Sequence, residues 1–201
     1  MSDRIAKTSK PIHDLLARRW STRAYDASKS VTRDQLMTLL EAGRWAPSCN
    51  GDEPWRYLIW DRKGDPAGFQ KAFDCLSENN KKWVKNAPLL MLSCAGSTFE
   101  ATGKPNRHTQ HDTGAASMAM ALQAEALGLA YHQMGGFDAE KARAAFGIPA
   151  EYTLVAMIAV GYAASANVLD DETKAKELRP RSRKPLAERF YEGGWGKGVT
   201  A

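Results

Sequence analysis

The sequence predicts one α/β domain followed by a C-terminal arm, on three observations. The chain has 201 residues, 43% hydrophobic and 25% charged. That is an ordinary globular composition, in a chain long enough to bury roughly 70% of its unfolded surface. Short apolar runs of strand character alternate with stretches of helical periodicity. Beyond Gly161 large apolar side chains become scarce, until an aromatic, glycine-rich tail from Phe190 to Gly196. Such a tail cannot build its own core, so it is expected to pack elsewhere on the protein or on a second subunit.

The elements follow in order. Pro11 opens a short helix to Ala17, proline being suited to a first helical turn. Thr32 and Gln35 have capping-box spacing, and Leu36, Leu39, Leu40 and Gly43 continue at helical spacing until Pro47. Arg56 to Trp60 reads as a short strand, and two amphipathic helices fill about 66–86. Leu89 to Cys94 is a nearly continuous apolar run between Pro88 and Gly96, suited to a strand buried on both faces. An alanine-rich helix runs from Thr113 to Leu127 with Asp112 at its positive end. Tyr131 to Met134 is a strand, Asp138 to Phe146 a helix closed by Gly147, and Thr153 to Tyr162 a second buried strand. Trp45, Trp55, Trp60 and Trp83 read as core, as do Cys75 and Cys94.

Composition narrows function. Cys49, Cys75 and Cys94 form no CxxC pair, and the four histidines have no zinc-binding spacing. A structural metal is therefore not expected. No signal peptide and no long apolar span is present, which points to a reduced, cytoplasmic, soluble protein. There is no G-x-S-x-G elbow, no Walker loop and no dinucleotide fingerprint after a strand. A chain without reactive machinery of its own is a candidate for borrowing it from a cofactor.

The net charge of +5 suggests an anionic partner. Two clusters carry much of it. One is Arg18, Arg19 and Arg23 with Ser21 and Thr22; the other is Arg179, Arg181, Arg183 and Lys184 with Ser182. Guanidinium forks with adjacent hydroxyls suit a discrete phosphate, while solvated charge runs or a nucleic-acid patch are the bland alternatives. Between Arg44 and Trp55, two prolines and a glycine define a rigid loop that can offer backbone amides to a flat heterocycle.

Six segments, in order, resemble the FMN-dependent nitroreductase family over nearly the whole chain, from Arg18 to Gly196. They are Arg18-Arg19-Trp20-Ser21-Thr22-Arg23-Ala24-Tyr25, Arg44-Trp45-Ala46-Pro47-Ser48 through Pro54-Trp55, and Asn80 through Pro88. Asp112-Thr113-Gly114-Ala115-Ala116, His132-Gln133-Met134-Gly135-Gly136-Phe137-Asp138, and Arg181-Ser182-Arg183-Lys184-Pro185-Leu186 complete the series. The resemblance implies an α+β fold with a central mixed sheet flanked by helices. It also implies an intertwined homodimer with FMN at the subunit interface. Residues 1–201 would form one domain, about 163–201 being an extended C-terminal arm packing on the partner subunit.

It implies, too, an enzyme passing hydride from NADH or NADPH through flavin N5 to a flat, electron-poor acceptor such as a nitroaromatic or quinone, without membrane or nucleic-acid partners. No side chain is implied as acid or base. Arg19, Ser21, Arg181 and Arg183 would hold the phosphate end, Arg23 would sit beside N1 and O2, and Asn80 would bond the pyrimidine portion. Gly135 and Gly136 would face N5 and O4, while Pro47 and Ser48 would come from the other subunit. Arg18, Trp20, Cys49, Asn50 and Met134 complete the expected cofactor site. Gly51 and Glu53 stand where the family usually has asparagine and glutamine, with Asn50 one residue early, and Asp52 and Glu53 bring negative charge. A flavin relative with other chemistry (ene-type reduction, dehalogenation or sensing) shares these motifs. A basic nucleic-acid-binding module is the alternative from another class.

Overall fold

A computed structural model describes residues 4–200. In chain order the elements are α1 (Asp14–Arg18), α2 (Arg33–Arg44), β1 (Trp55–Asp61), α3 (Pro66–Asp74), α4 (Glu78–Val84) and β2 (Leu89–Ala95). There follow α5 (Thr109–Ala126), β3 (Ala130–Met134), α6 (Ala139–Phe146), β4 (Thr153–Gly161) and α7 (Asp171–Glu177). Local chemistry sets several boundaries. The Thr32 hydroxyl accepts from Gln35 N–H and the Gln35 side chain accepts from Thr32 N–H, closing the capping box. Asp65 and Asp138 cap α3 and α6, and Gly147 ends α6 in the left-handed region at φ 62°.

The strands pair in the order β1-β2-β4-β3, antiparallel at every contact. The expectation of a mixed sheet is therefore corrected for the described strands. Continuous apolarity reports burial of both faces, not strand direction, and all seven residues of β2 are indeed buried. Leu90, Leu92 and Cys94 face a core shared with Trp60, Phe69, Trp83 and Met134. Leu89 and Met91 face the other core, with Leu36, Leu39, Met120 and Ala124. Thus α3, α4 and α6 cover one face of the sheet, and α2 and α5 the other.

Three expectations fail locally. The first helix starts at Asp14 with His13 as its N-cap, so Pro11 stands outside it. The alanine-rich helix begins at Thr109, so Asp112 lies inside its first turn and does not cap it. It is buried, and its carboxylate accepts Cys49 N–H at 2.9 Å. A buried acid serving a distant N–H looks the same in sequence as a helix cap. Trp60 and Trp83 are core and Trp55 is half-buried, but Trp45 is 74% exposed. As the residue capping the C-terminus of α2, it points outward and donates its indole N–H to Glu41 at 2.8 Å.

After β4 the chain stays on its own body for some distance. Ala163 bridges Tyr25, Ala164 N–H donates to the Ala24 carbonyl at 2.9 Å, and Thr173 and Glu177 are buried. Leu186, Phe190 and Trp195 are exposed, the last by 93%. No helix among the described residues is long and apolar enough to cross a membrane.

Candidate functional site

The two arginine clusters, 160 residues apart in sequence, meet in space. Arg181 Nη1 donates to the carbonyls of Arg4 and Ala17 and its Nη2 to the carbonyl of Arg19 at 3.0 Å. Those bonds leave Arg181 one Nη2 proton and its Nε–H for any ligand. Arg19 has its pKa lowered by burial first and then by neighbouring Arg183. Arg181 is lowered by burial and then by Arg19, Arg183 and Arg4. The acid both sense is Glu125, which lies 3.3 Å from Arg18 Nε. Trp20 lies beneath the Arg4 guanidinium, 4.8 Å from ring centroid to Cζ. Ser21 is half-buried in the same turn of chain.

From this cluster a series of buried contacts leads to β3. Thr22 is buried, and its carbonyl accepts from His132 Nδ1 at 2.8 Å. His132 stacks on Trp83 of α4 with ring centroids 4.6 Å apart. Burial, reinforced by Arg23 and Arg19, pushes the His132 pKa down to about 4, so the imidazole is neutral at pH 7. One turn before Trp83, Asn80 Nδ2 donates to the Gly136 carbonyl at 2.9 Å. Among the described residues its side-chain oxygen has no donor, so it is available to an N–H of a ligand. A Cβ on Gly136 would fall 2.7 Å from Asn80 Nδ2 and 2.9 Å from Ser77 Oγ. A side chain there would push Asn80 and Ser77 aside and disturb the Asn80 hydrogen bond, while Gly135 faces open space. Met134 is buried at the end of β3.

Pro47, Ser48, Cys49 and Asn50 lie elsewhere. Their loop enters β1, at one edge of the sheet, whereas Met134–Gly136 leaves β3 at the other. Three strand spacings separate those edges, about 14 Å. Along α5, Asp112 holds Cys49 near one end and Glu125 meets Arg18 near the other, about 20 Å apart at 1.5 Å per residue. Within one chain the loop therefore does not join the arginines. It is firmly shaped: Asn50 and Glu53 take positive φ of 56° and 48°, and Glu53 N–H donates to Ser48 Oγ at 3.0 Å. The Asp52 carboxylate is engaged, accepting Glu100 N–H at 2.8 Å and Asn106 Nδ2 at 3.2 Å.

Sequence reasoning missed Arg4, His132 and Glu177, and it read the Thr22 hydroxyl as a phosphate partner, whereas Thr22 is buried and donates to Glu177. The inward face of β3 was a signal for His132. Glu177 sits in a lysine- and arginine-rich stretch that disguises it.

The donor set fits FMN: arginines with little acid to balance them suit a phosphate, and an amide and open backbone at the β3 exit suit a heterocycle edge. Comparison with known proteins points the same way. The family model described as "Nitroreductase family" matches residues 16–162. An uncharacterised 15.4 kDa protein of Mycolicibacterium smegmatis is 31% identical over 147 residues, 70% of this chain and 97% of that one. The major NAD(P)H-flavin oxidoreductase of Aliivibrio fischeri is 30% identical over 81 residues, 40% of this chain and 37% of that one. A solved structure described as an oxidoreductase containing FMN superposes with a TM-score of 0.88 at 31% identity, over 94% of this chain and 95% of that one.

Proposed function

The chain belongs to the Nitroreductase family, and from that premise we propose that it is an FMN-dependent oxidoreductase drawing electrons from NADH or NADPH. Its acceptor is a flat, electron-poor small molecule such as a nitroaromatic or quinone. When bound, FMN would supply the redox chemistry, hydride transfer between the nicotinamide and the acceptor.

The residues of this chain bind, orient and polarise. Arg19, Ser21 and Arg183 would hold the phosphate, with the remaining Arg181 donors beside them. Arg23 would stand at the N1/O2 edge, where a fixed cation favours negative charge without reorganisation. The free oxygen of Asn80 would accept from the pyrimidine N–H, and Gly135 and Gly136 would present backbone groups to the opposite edge. Pro47 to Asn50 would reach the cleft from a second copy, which the separation within one chain supports. The half-exposed face of α5, with Gly114, Ala115, Met118 and Ala119, is small and apolar enough for close packing of another copy. Residues 1–201 form one domain in this reading, with the partner-binding arm beginning near Leu186, since residues 163–178 are anchored on their own body. Three unpaired thiols suit a reducing cytoplasmic location.

The observation that carries the reading is the convergence of Arg4, Arg19, Arg181 and Arg183 from opposite ends of the chain. Its test is the absorption spectrum of the purified protein. Yellow protein that bleaches anaerobically on mixing with NADH or NADPH is expected. Colourless protein that takes up no added FMN would sink the reading. Colourless protein whose binding to nucleic acid falls steeply with salt would point to the basic module instead.

A further inference from the structure

Glu177 ends α7 and is only 3% exposed. Its carboxylate accepts from the Thr22 hydroxyl and from Arg23 N–H at 2.9 Å. Its Oε2 also lies 4.0 Å from Arg23 Nη1. The backbone around it is fixed as well, because Arg4 donates to the carbonyls of Glu177 and Arg179. On the far side, His132 Nδ1–H holds the Thr22 carbonyl. Residues 22 and 23 are therefore gripped from two directions.

The grip alone does not call for a charge. A glutamine could place its amide oxygen on Arg23 N–H and its amide nitrogen on the Thr22 hydroxyl, satisfying the same partners. Keeping a carboxylate out of water is costly unless a cation compensates it. The cation paired with it is the guanidinium of Arg23, which is partly exposed while Glu177 is buried. The pair is thus a partly exposed cation backed by a buried anion.

Resting on the FMN reading of this cleft, we propose that Glu177 is a positioning residue that fixes the Arg23 guanidinium and offsets part of its charge, thereby setting the reduction potential of the bound flavin. Reduction adds negative charge to the ring. An unpaired Arg23 would favour the reduced form more strongly than one backed by a carboxylate, and the buried setting keeps the interaction from being screened by solvent. The C-terminal segment, through α7, thereby acts on a cleft to which its own side chain makes no direct contact.

The test is the midpoint potential of FMN bound to Glu177→Gln, measured by spectroelectrochemical titration. The variant keeps both hydrogen bonds and loses the charge. The expected result is retained flavin with a more positive potential, equivalent to a tenfold shift in the oxidised-to-reduced balance, about 30 mV for a two-electron couple. Arg23→Gln is the independent second variant, since it leaves the buried carboxylate without its cation. It should move the potential the opposite way by a similar amount, and it carries the test alone if Glu177→Gln does not fold. Flavin retained at the wild-type potential in either folded variant overturns the proposal while leaving the FMN reading intact. A wild-type protein that binds no FMN overturns that reading instead. A Glu177 that merely holds the fold would lower the melting temperature and leave the potential in place.

Discussion

At its last turn α5 reaches the arginines through Glu125, 3.3 Å from Arg18 Nε. At its first turn it reaches the Pro47–Asn50 loop through Asp112, which accepts Cys49 N–H at 2.9 Å. The first of these regions is dominated by charge, with guanidinium groups drawn from both ends of the chain. The second is dominated by shape, with left-handed backbone at Asn50, Gly51 and Glu53 and the Asp52 carboxylate already engaged. The contrast teaches a division of labour. One region concentrates positive charge, the other holds a fixed backbone edge, and the helix between them keeps the two apart within a single chain.

The largest test of this contrast removes charge from the first region. Arg19→Ala with Arg183→Ala should weaken FMN binding at least about a hundredfold, each charge-assisted hydrogen bond contributing roughly 1.5–3 kcal/mol. Equilibrium binding followed by flavin fluorescence reads it, and full occupancy in the double variant would place the phosphate elsewhere. Mixing this variant with one disabled in the loop, Asp112→Ala, sharpens the comparison. A mixed dimer would carry one cleft built from the two intact halves, so flavin binding should reappear on mixing. No recovery after subunit exchange would break the idea that the two regions come from different copies.

Next in size is a pH effect on the first region. His132 has its pKa pushed down to about 4 in the fold against 6.5 ordinarily, so the unfolded chain takes up the proton first as pH falls. Stability present above pH 6.5 is therefore lost progressively down to about pH 4, by an order of ~3 kcal/mol. Urea unfolding of the wild type and of His132→Gln across that range should show the variant losing less. Parallel losses in the two proteins would remove His132 as the cause.

Asp112→Ala by itself should destabilise by about 2 kcal/mol, because Cys49 N–H loses its acceptor in a part-buried site. Denaturant titration measures it, and a change below about 0.5 kcal/mol would mean that water replaces the carboxylate without penalty. The smallest effect is expected at Glu53→Gly. Relief of roughly 1 kcal/mol of left-handed strain is nearly cancelled by glycine's greater loss of backbone freedom, leaving a change within about 0.5 kcal/mol. A larger loss would show that the Glu53 side chain has a role its exposed position does not suggest.

Much of this was readable from residues alone, for identifiable reasons. Capping chemistry is local, so Thr32 with Gln35 and Asp138 with Gly147 marked their helices correctly. The run at Leu89 announced a strand buried on both faces. It could not announce an antiparallel partner, because apolar residues do not encode direction. Asp112 was misplaced because its partner, Cys49 N–H, lies 63 residues away. Trp45 was misplaced because composition does not say which side of a helix end a residue leaves. The arginine clusters suggested a discrete phosphate and the resemblance implied that both face the same one, but no local pattern required their meeting, since Arg181 is fixed by backbone carbonyls rather than by any complementary side chain. Glu177 was hidden for the same reason: its partners are a hydroxyl, an N–H and a guanidinium from the other end of the chain.

The length of α5 carries a consequence for how such a chain can change over generations. Substitutions along its outer face alter fit, but inserting or deleting residues within it moves the loop end relative to the arginine end. One added turn displaces the ends by 5.4 Å and one added residue rotates them by about 100°. In the proposed two-copy site either change would misalign both clefts at once, because each copy would lend the altered spacing to the other. Descent can therefore rewrite the outer face of this helix only while conserving its count of residues.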